Sequence, residues 1–390
     1  MSERRLVMVP GPINFEPSVL REMAVEGLDH TSSEFVDAFA ESLAMLRKVV
    51  NATDGYQPIV IAGSGTLAME ASVTNFLKKD SKVLIVSNGY FGDRFAELLS
   101  RYPVHVDMIK PEVLGDAVSP EKIIAAVEKE SYDLVTLTHV DTSTAVLQPV
   151  REVGKALRNK DTLLVVDGVC SVGGEEIHIV EDGIDVLFTG SQKALGVPPG
   201  LAILWLSPKA LEKLKNVSNN LSPYYTDLRK WVDVMRSYES RKPSYFGTPA
   251  VNLIVALKKS LELILKEGLD RRFTRHKQIS EAFREGVKAL GLQLLPKEEN
   301  VAHTVTAVKL PPNVDLTSFV SSVRGMGVLI ARGLLKEVNY FRVGHMGSVN
   351  ANDIIATVAA IERALYKHGY NFKFGDGLAK TQEVLFKYGF

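Results

Sequence analysis

Short apolar runs that alternate with helical patterns are the feature that most constrains how this chain can fold. The runs are rich in Val, Ile and Leu, and they span residues 58–63, 82–88, 133–139, 162–168, 185–191 and 201–207. Such runs are typical of strands in a parallel sheet whose two faces are both covered by helices. Helical patterns lie between them, at 66–78, 91–100, 120–130 and 149–158. This order predicts a doubly wound α/β domain with a mainly parallel sheet.

The pattern changes near residue 250, where long helical segments replace the alternation. Residues 250–267 and 271–290 are predicted as long helices, and a mixture of short strands and helices follows them. A compact α+β unit of this kind is typical of a second domain. We therefore predict a large α/β domain over 1–255, in which 1–15 form an N-terminal arm, and a small α+β domain over 256–390.

Charge and cysteine content argue against several classes of protein. Lys+Arg and Asp+Glu both number 46, so the net charge is zero and the basic excess of a nucleic-acid-binding protein is missing. The single cysteine, Cys170, permits no intrachain disulfide and no cysteine-based zinc site, and the histidines show no metal-ligand spacing. We find no signal peptide and no apolar run of membrane-spanning length. A cytoplasmic protein without nucleic-acid, membrane or metal partners is expected.

The sequence Gly63-Ser64-Gly65-Thr66 stands between a predicted strand and a predicted helix. The first N–H groups of a helix lack partners within it, and small residues let a phosphate approach the backbone. Glycine turns at helix starts also occur without a ligand, and in that case Thr66 would cap the helix. The turn alone leaves both interpretations open.

Two charged residues follow apolar strands of the same predicted sheet. Asp167 lies at the end of the run 162–168, and Lys193 comes just after the run 185–191. A carboxylate in that position could cap a loop, bind a metal or pair with a cationic ring nitrogen. A lysine among small residues loses solvent, which lowers the pKa of its amine and favours the nucleophilic form, although most lysines are solvated surface charges.

The combination of these features is more specific than any one of them. Parallel strands end at one edge of a sheet, so the turn at 63–66, Asp167 and Lys193 are expected to meet there. An anion site, a carboxylate and an amine are the groups that would bind the phosphate, the ring nitrogen and the aldehyde of pyridoxal phosphate. The sequence therefore predicts a site for that cofactor.

Motifs along nearly the whole chain carry a resemblance to a known family. They include MVPGPINFEPSVL (8–20), AGSGTLAMEA (62–71), SNGYFGDRF (87–95), VVDGVCSVGG (165–174), GSQKALGVPPG (190–200), SYFGTP (244–249) and FRVGHMG (341–347). GSQKAL together with the aspartate motif at this spacing is the specific part. The chain resembles the class V aminotransferases of fold type I, and within them the alanine–glyoxylate and serine–pyruvate aminotransferases.

The resemblance implies a role for each matching residue. Lys193 would form the Schiff base with pyridoxal phosphate and then act as the acid–base between Cα and C4′, while Asp167 would keep the pyridine nitrogen protonated. The other cofactor-binding residues that it implies are Ser64, Gly65, Thr66 and Gln192 at the phosphate, Phe91 on the ring, Thr142 near the phenolic oxygen or the substrate carboxylate, and Tyr245 and Thr248 at the phosphate of the partner in a homodimer. Arg342 would clamp the substrate carboxylate, and the backbone near Gly11 would line the same pocket.

The implied reaction is a ping-pong transfer of an amino group from alanine or serine to glyoxylate or pyruvate. One arginine clamp without a second distal arginine motif favours a small amino acid and a small 2-oxo acid. A lyase or decarboxylase on the same scaffold is the alternative within cofactor chemistry. A nucleotide-binding module is disfavoured because GxGxxG and a Walker lysine are missing from the sequence. A catalytically inactive interaction dimer is disfavoured because Lys193, Asp167 and Arg342 occur together.

Overall fold

The computed structural model describes residues 5–24, 26–218 and 220–390. Among these residues the strands are β1 (Leu6–Val7), β2 (Gln57–Ala62), β3 (Lys82–Val86), β4 (His105–Ile109), β5 (Leu134–Thr138), β6 (Val140–Asp141), β7 (Val146–Leu147), β8 (Leu163–Asp167), β9 (Val186–Gly190), β10 (Leu201–Leu206), β11 (Gln293–Leu294), β12 (Val305–Lys309), β13 (Val328–Leu329), β14 (Ala331–Arg332) and β15 (Tyr340–Gly344). The α-helices are α1 (Pro17–Met23), α2 (Ser33–Val49), α3 (Gly65–Thr74), α4 (Tyr90–Leu99), α5 (Pro120–Lys129), α6 (Arg151–Leu157), α7 (Pro208–Asn216), α8 (Leu228–Glu239), α9 (Val251–Glu267), α10 (Leu269–Ala289), α11 (Leu316–Gly325), α12 (Ala351–Lys367) and α13 (Asp376–Lys387). None of these helices is long and apolar enough to cross a membrane.

Seven strands form the main sheet, in the order β2-β10-β9-β8-β5-β3-β4. β10 pairs antiparallel with β2 and β9, and the remaining neighbours pair in parallel. Every residue of the central strand β8 is buried, which explains its continuous apolar sequence, because helices cover both faces of such a sheet. The predicted mainly parallel α/β sheet is confirmed.

The main sheet also explains where functional groups gather. All of its strands except β10 run in one direction, so their carboxyl ends share one edge. The connections that leave this edge include the start of α3 after β2, the start of α4 after β3, the β6–β7 hairpin after β5, and the loops after β8 and β9. Apart from Tyr245 and Thr248, the predicted cofactor residues therefore lie at or just after the strand ends of this one edge.

A second core surrounds the antiparallel sheet β11-β12-β15-β14. Phe283 of α10, Phe319 of α11 and Phe341 of β15 are among its fully buried side chains. The C-terminal helix α13 packs closely on α10, since a Cβ built on Gly286 would lie 2.0 Å from Oγ1 of Thr381. This packing makes the last helix part of the small unit.

The positions of α9 and of the N-terminal arm can be compared with the predicted domain boundaries. The limit at 255/256 falls inside α9, whose buried residues belong to the core of the main sheet. The arm begins beside the small unit, where β1 pairs in parallel with β13 and Met8 is buried in the second core. From there it continues to the carboxyl edge of the main sheet, where the carbonyl oxygen of Pro10 accepts a hydrogen bond from Nζ of Lys193.

Candidate active site

A cavity of about 240 Å³ lies at the carboxyl edge of the main sheet. Its walls are formed by Gly11, Ser64, Gly65, Thr66, Met69, Phe91, Arg94, Val140, Thr142, Asp167, Val169, Gln192 and Lys193. Open α/β sheets bind their ligands at this edge. The structure thus brings together all the predicted site residues except Tyr245, Thr248 and Arg342.

The first turn of α3 forms one end of the cavity. Ser64 is the N-cap residue, and its side chain makes no capping hydrogen bond. Thr66 lies within the first turn, so it does not occupy the capping position that a purely structural turn would give it. A Cβ built on Gly65 would lie 3.0 Å from Cγ2 of Val169, so glycine lets α3 pack close to the Asp167 segment. The N–H groups at a helix start attract anions, which suits this end to a phosphate.

Asp167 ends β8, and its carboxylate is buried. The backbone N–H of Val169 donates to Oδ1 at 2.8 Å, so the side chain caps its own loop. The pKa of Asp167 is raised to about 7, mainly by burial and also by Asp141, while the Val169 hydrogen bond and the charges of Lys193 and Arg94 act to lower it. Among the described residues, no group of His, Cys, Asp and Glu side chains is arranged to hold a metal. The loop-capping role of Asp167 is thus observed, and its pairing with a cationic ring nitrogen stays a prediction.

Lys193 follows β9 and is buried. Burial lowers the pKa of its amine, which favours the neutral form. Nζ donates to the carbonyl oxygen of Pro10 in the N-terminal arm. Gly11 lies so close that a Cβ there would be 2.7 Å from Cδ of Lys193, and its φ of +126° also favours glycine. The arm therefore closes one side of the cavity directly over the lysine.

Phe91 and Thr142 are held by a residue that sequence reasoning missed. Asp141, the residue directly before Thr142, accepts hydrogen bonds from the N–H groups of Phe91 at 2.9 Å and Gly92 at 3.1 Å. It also accepts from the N–H of Ser143 at 2.8 Å and from the Ser143 hydroxyl at 2.6 Å. Asp141 thereby fixes the start of α4, which carries Phe91, to the segment that carries Thr142.

Arg342 lies on β15 and is buried, but it does not line the cavity. Its Nε donates to Arg332 O and its Nη1 donates to Thr142 O, both at 2.9 Å. Burial is the main cause of the lowered pKa of the Lys193 amine, and the charge of Arg342 lowers it further. Within the described residues Nη2 makes no hydrogen bond, so the guanidinium group retains donors that could bind a carboxylate.

Tyr245 and Thr248 lie away from the cavity of their own chain. Both are exposed, and 65% of the Tyr245 surface is open to solvent. The Tyr245 ring lies 5.8 Å from the ring of His30, centroid to centroid. A role at the cofactor would therefore require a second subunit, and it stays a prediction.

Met69, Arg94, Val140 and Val169 line the cavity and were not predicted. Helical spacing could have indicated two of them, because Met69 lies one turn after Thr66 and Arg94 one turn after Phe91. Val169 follows Asp167 by two positions, which could have placed it beside a bound ring. Val140 had no comparable signal.

Two other residues with reactive side chains, His345 and Cys170, are buried outside the cavity. His345 is fully buried, with Nδ1 2.9 Å from His303 O and Nε2 2.8 Å from Oγ1 of Thr306. Burial lowers its pKa to about 3, so the ring is neutral. Cys170 is buried, 3.8 Å from Oγ1 of Thr304. Neither residue lines the cavity.

Comparison with known proteins agrees with this geometry. The family model "Aminotransferase class-V" matches residues 19–337. Alanine–glyoxylate aminotransferase 1 of Saccharomyces cerevisiae is 38% identical over 361 residues, covering 89% of this chain and 93% of that protein. Serine–glyoxylate aminotransferase of Arabidopsis thaliana is 31% identical, covering 98% of this chain and 95% of that protein. The solved structure of ureidoglycine–glyoxylate aminotransferase from Bacillus subtilis superposes with a TM-score of 0.91 at 28% identity, covering 98% of each chain.

These matches confirm the predicted fold type I architecture and the predicted aminotransferase activity. The family match covers both the turn before α3 and the lysine after β9, and it includes every residue that lines the cavity except Gly11. The chain therefore belongs to the class V aminotransferase family.

Proposed function

We propose that this aminotransferase binds pyridoxal 5′-phosphate in the cavity and moves an amino group from alanine or serine to glyoxylate or pyruvate. One observation carries the proposal: a helix start, a buried carboxylate and a buried lysine line the same cavity. These groups match the phosphate, the ring nitrogen and the aldehyde of the cofactor. The relatives described above are named for activity with glyoxylate, which supports a small 2-oxo acid as the acceptor.

The size and the polar groups of the cavity fit this cofactor and a short substrate. Its volume of about 240 Å³ is below the range of about 300–1,000 Å³ that is usual for small-molecule sites. Gln192 on its wall has a buried amide oxygen with no partner among the described residues, so its amide has hydrogen-bonding capacity to offer a ligand. A long substrate side chain would find little space beside the cofactor.

When bound, pyridoxal phosphate supplies an aldehyde that condenses with amines and a ring that accepts electron density. The start of α3 binds the phosphate through its free N–H groups. Asp167 pairs with the ring nitrogen, and Phe91 offers a π face for stacking. These residues hold the cofactor in one orientation at the sheet edge.

Lys193 moves the proton. Burial lowers the pKa of its amine and so favours the neutral form, which could accept the proton from Cα of the substrate and return it at C4′ of the cofactor. Arg342 lies outside the cavity wall of the single chain, and it would hold the substrate carboxylate with the donors that its two backbone hydrogen bonds leave free. A substrate fixed at its carboxylate presents its Cα to Lys193 in one orientation.

We also propose a homodimer whose active sites lie at the interface. Tyr245 and Thr248 are exposed on the single chain. Tyr224, in the preceding loop, is 77% exposed and lies against Phe246 with a ring-centroid distance of 5.3 Å. Exposed aromatic residues clustered in this way are typical of a surface that another protein covers. In the dimer the segment between α8 and α9 would carry Tyr245 and Thr248 to the partner's phosphate.

A visible absorption spectrum of the purified protein tests the proposal. We expect a yellow band that decreases when L-alanine or L-serine is added without a 2-oxo acid, and that returns with glyoxylate or pyruvate. The Lys193→Ala variant serves as the control, since it should bind the cofactor without that band. A band that no amino acid changes, or ammonia released instead of a stoichiometric amino acid product, would contradict transamination of these substrates. No band after pyridoxal phosphate is added would contradict the cofactor.

A further inference from the structure

One buried arginine outside the cavity joins the segments that carry Asp167 and Lys193. Arg272, near the start of α10, is 6% exposed. Its Nε donates to Gly173 O and its Nη2 donates to Ala194 O, both at 2.7 Å. Gly173 belongs to the loop that follows Asp167, and Ala194 is the residue directly after Lys193. A single planar guanidinium group therefore holds both segments.

The two segments touch where Arg272 joins them. A Cβ built on Gly173 would lie 3.5 Å from both the carbonyl carbon and the carbonyl oxygen of Ala194. Ala194 is fully buried, so its carbonyl oxygen depends on a donor within the protein. The next carbonyl oxygen, Leu195 O, accepts a 2.5 Å hydrogen bond from Oγ of Ser260 on α9. Two helices thus hold two successive carbonyl groups just after Lys193.

Arg272 is itself held in place by charged neighbours. Its Nη1 lies 2.8 Å from Oε2 of Glu267, whose other oxygen accepts a 2.6 Å hydrogen bond from Nε of Arg275. Arg275 also donates to Gly347 O and Val349 O, both at 2.9 Å. These carbonyl groups belong to the loop that follows β15, the strand of Arg342. The ion pairs therefore connect Arg272 to a third segment of the site.

We propose that Arg272 and Ser260 are positioning residues for the reaction, which hold the Lys193 segment against the Asp167 segment so that the amine stays buried and correctly oriented. The proposal rests on the function proposed for Lys193. Neither residue lines the cavity, so both act only through the backbone next to the lysine. Arg272 suits this role because its rigid fork presents several donors at fixed angles, which a lysine ammonium group cannot do.

The burial of the Lys193 amine gives this positioning a measurable consequence. Desolvation is the largest cause of the lowered pKa of Lys193. If the carbonyl groups after Lys193 are released, the segment moves, water reaches the amine and its pKa rises toward the ordinary value. The titratable groups that bear on this pKa are Cys170, Arg342, Asp167 and Asp141. Substitution of Arg272 or Ser260 leaves all four in the chain, so a shift reports the segment itself.

The test measures how fast cofactor-free, full-length protein captures added pyridoxal phosphate as a function of pH, followed by absorbance. For Arg272→Lys we expect the pH midpoint of capture to rise by about 0.5 units or more, because Lys retains the charge but not the fork. Ser260→Ala should shift the midpoint in the same direction by a smaller amount. Arg284→Lys is the matched control: Arg284 lies on the same helix, is similarly buried and donates to Ala302 O at 3.0 Å, a carbonyl group that belongs to neither segment. Its midpoint should equal that of the wild type.

The outcomes separate this proposal from the proposed function. Wild-type midpoints in both Arg272→Lys and Ser260→Ala, with capture intact, would overturn the positioning role and leave the proposed function standing. An equal shift in Arg284→Lys would overturn it too, because a general loss of packing would then explain the effect. If Arg272→Lys does not fold, Ser260→Ala decides. Wild-type protein that captures no pyridoxal phosphate would overturn both proposals.

Discussion

At the scale of single residues, burial has opposite effects on the two charged groups of the cavity. It raises the pKa of Asp167 to about 7 and lowers the pKa of Lys193. Both shifts have one physical cause, because a low-dielectric setting disfavours whichever form is charged. A neutral amine is what nucleophilic and proton-transfer chemistry needs. A buried carboxylate is favourable only when a cationic partner joins it, so the cofactor-free protein carries a cost that a ring nitrogen would remove.

The buried carboxylate of Asp167 should lower the stability of the cofactor-free protein in a pH-dependent way. The pKa of Asp167 in the folded protein lies above its ordinary value of 3.8, so the native state binds more protons than the unfolded state between pH 3.8 and about 7. Stability of the cofactor-free protein therefore falls as pH rises through that window, by roughly 4 kcal/mol from this residue. Asp167→Asn keeps the oxygen that accepts from Val169 and removes the charge. In urea unfolding, the variant should be more stable than the wild type at pH 8.

The matched measurement at pH 4.5 completes this test. Most of the Asp167 carboxyl groups are protonated there in the folded wild type, so the difference between variant and wild type should shrink to a small value. Titration of other groups cancels in the comparison, because both proteins contain them. A stability difference that is the same at pH 4.5 and pH 8 would contradict the raised pKa.

Arg342 gives a second prediction at the residue scale. Arg342→Lys removes the fork that could form two parallel hydrogen bonds to a carboxylate, and it also gives up the hydrogen bonds to Arg332 O and Thr142 O. We expect KM for alanine, serine, glyoxylate and pyruvate to rise about 10- to 100-fold, since hydrogen bonds to charged groups contribute about 1.5–3 kcal/mol. Steady-state kinetics with each substrate measures this change.

A substrate without a carboxylate provides the control for Arg342. A primary amine of similar size reacts slowly, but its rate should change little between wild type and Arg342→Lys. An equal loss with the amine, or an unchanged KM for the amino acids, would mean that the arginine has a structural role only.

At the scale of elements, the first N–H groups of α4 are bound by a residue from a different segment of the chain. The N-cap residue of α4 is Gly89, which has no side chain to cap the helix. Asp141 of β6 supplies the missing acceptor from outside, through the N–H groups of Phe91 and Gly92. A Cβ on Gly89 would lie 2.5 Å from Cγ of Asp141, so glycine is needed for the carboxylate to reach the helix. The position of Phe91 over the cavity therefore depends on a residue far away in sequence.

Asp141→Asn tests this dependence. One carboxylate oxygen accepts from α4 and the other from Ser143, so an NH₂ group in either place faces a donor and loses hydrogen bonds. We expect a loss of about 1–3 kcal/mol in the free energy of unfolding and weaker binding of pyridoxal phosphate, measured by denaturant unfolding and by equilibrium titration. Asp315→Asn is the control, because Asp315 caps α11 from an exposed position. Loss of stability with unchanged cofactor affinity in Asp141→Asn would show that Phe91 is positioned by other contacts.

At the scale of the whole molecule, the sequence predicted the strands that are buried along their whole length, because nearly all of their residues are apolar or small. β8 and β9 are buried throughout, and their apolar runs placed them within about two residues. β4 was missed, because an edge strand that contains His105 and Asp107 and is mostly exposed has no continuous apolar run. The turn before α3, Asp167 and Lys193 were found because each follows a recognisable strand.

Groups that act through distant backbone could not be found in this way. Arg272 contacts carbonyl groups 99 and 78 positions away, and Asp141 contacts N–H groups 50 and 49 positions away. No local pattern marks such a partner, since any buried arginine or aspartate can serve if the fold brings a backbone group near it. The fold itself is therefore needed to recognise the residues that position the site.

The proposed dimer yields the last prediction, which concerns whole subunits. If Thr248 completes the partner's site, the Lys193→Ala subunit lacks its own lysine but still supplies Thr248 to a Thr248→Ala partner, whose lysine is intact. Each mixed dimer then has one complete site. Equal mixing with full exchange makes half of the dimers mixed, so activity should recover to about one quarter of the wild-type value. A mixture of Lys193→Ala and Asp167→Ala is the control: both residues line the cavity of their own chain, so every site in it stays incomplete and no activity should return. Exchange verified by mass spectrometry without recovery in the first mixture would show that Thr248 does not act across the interface.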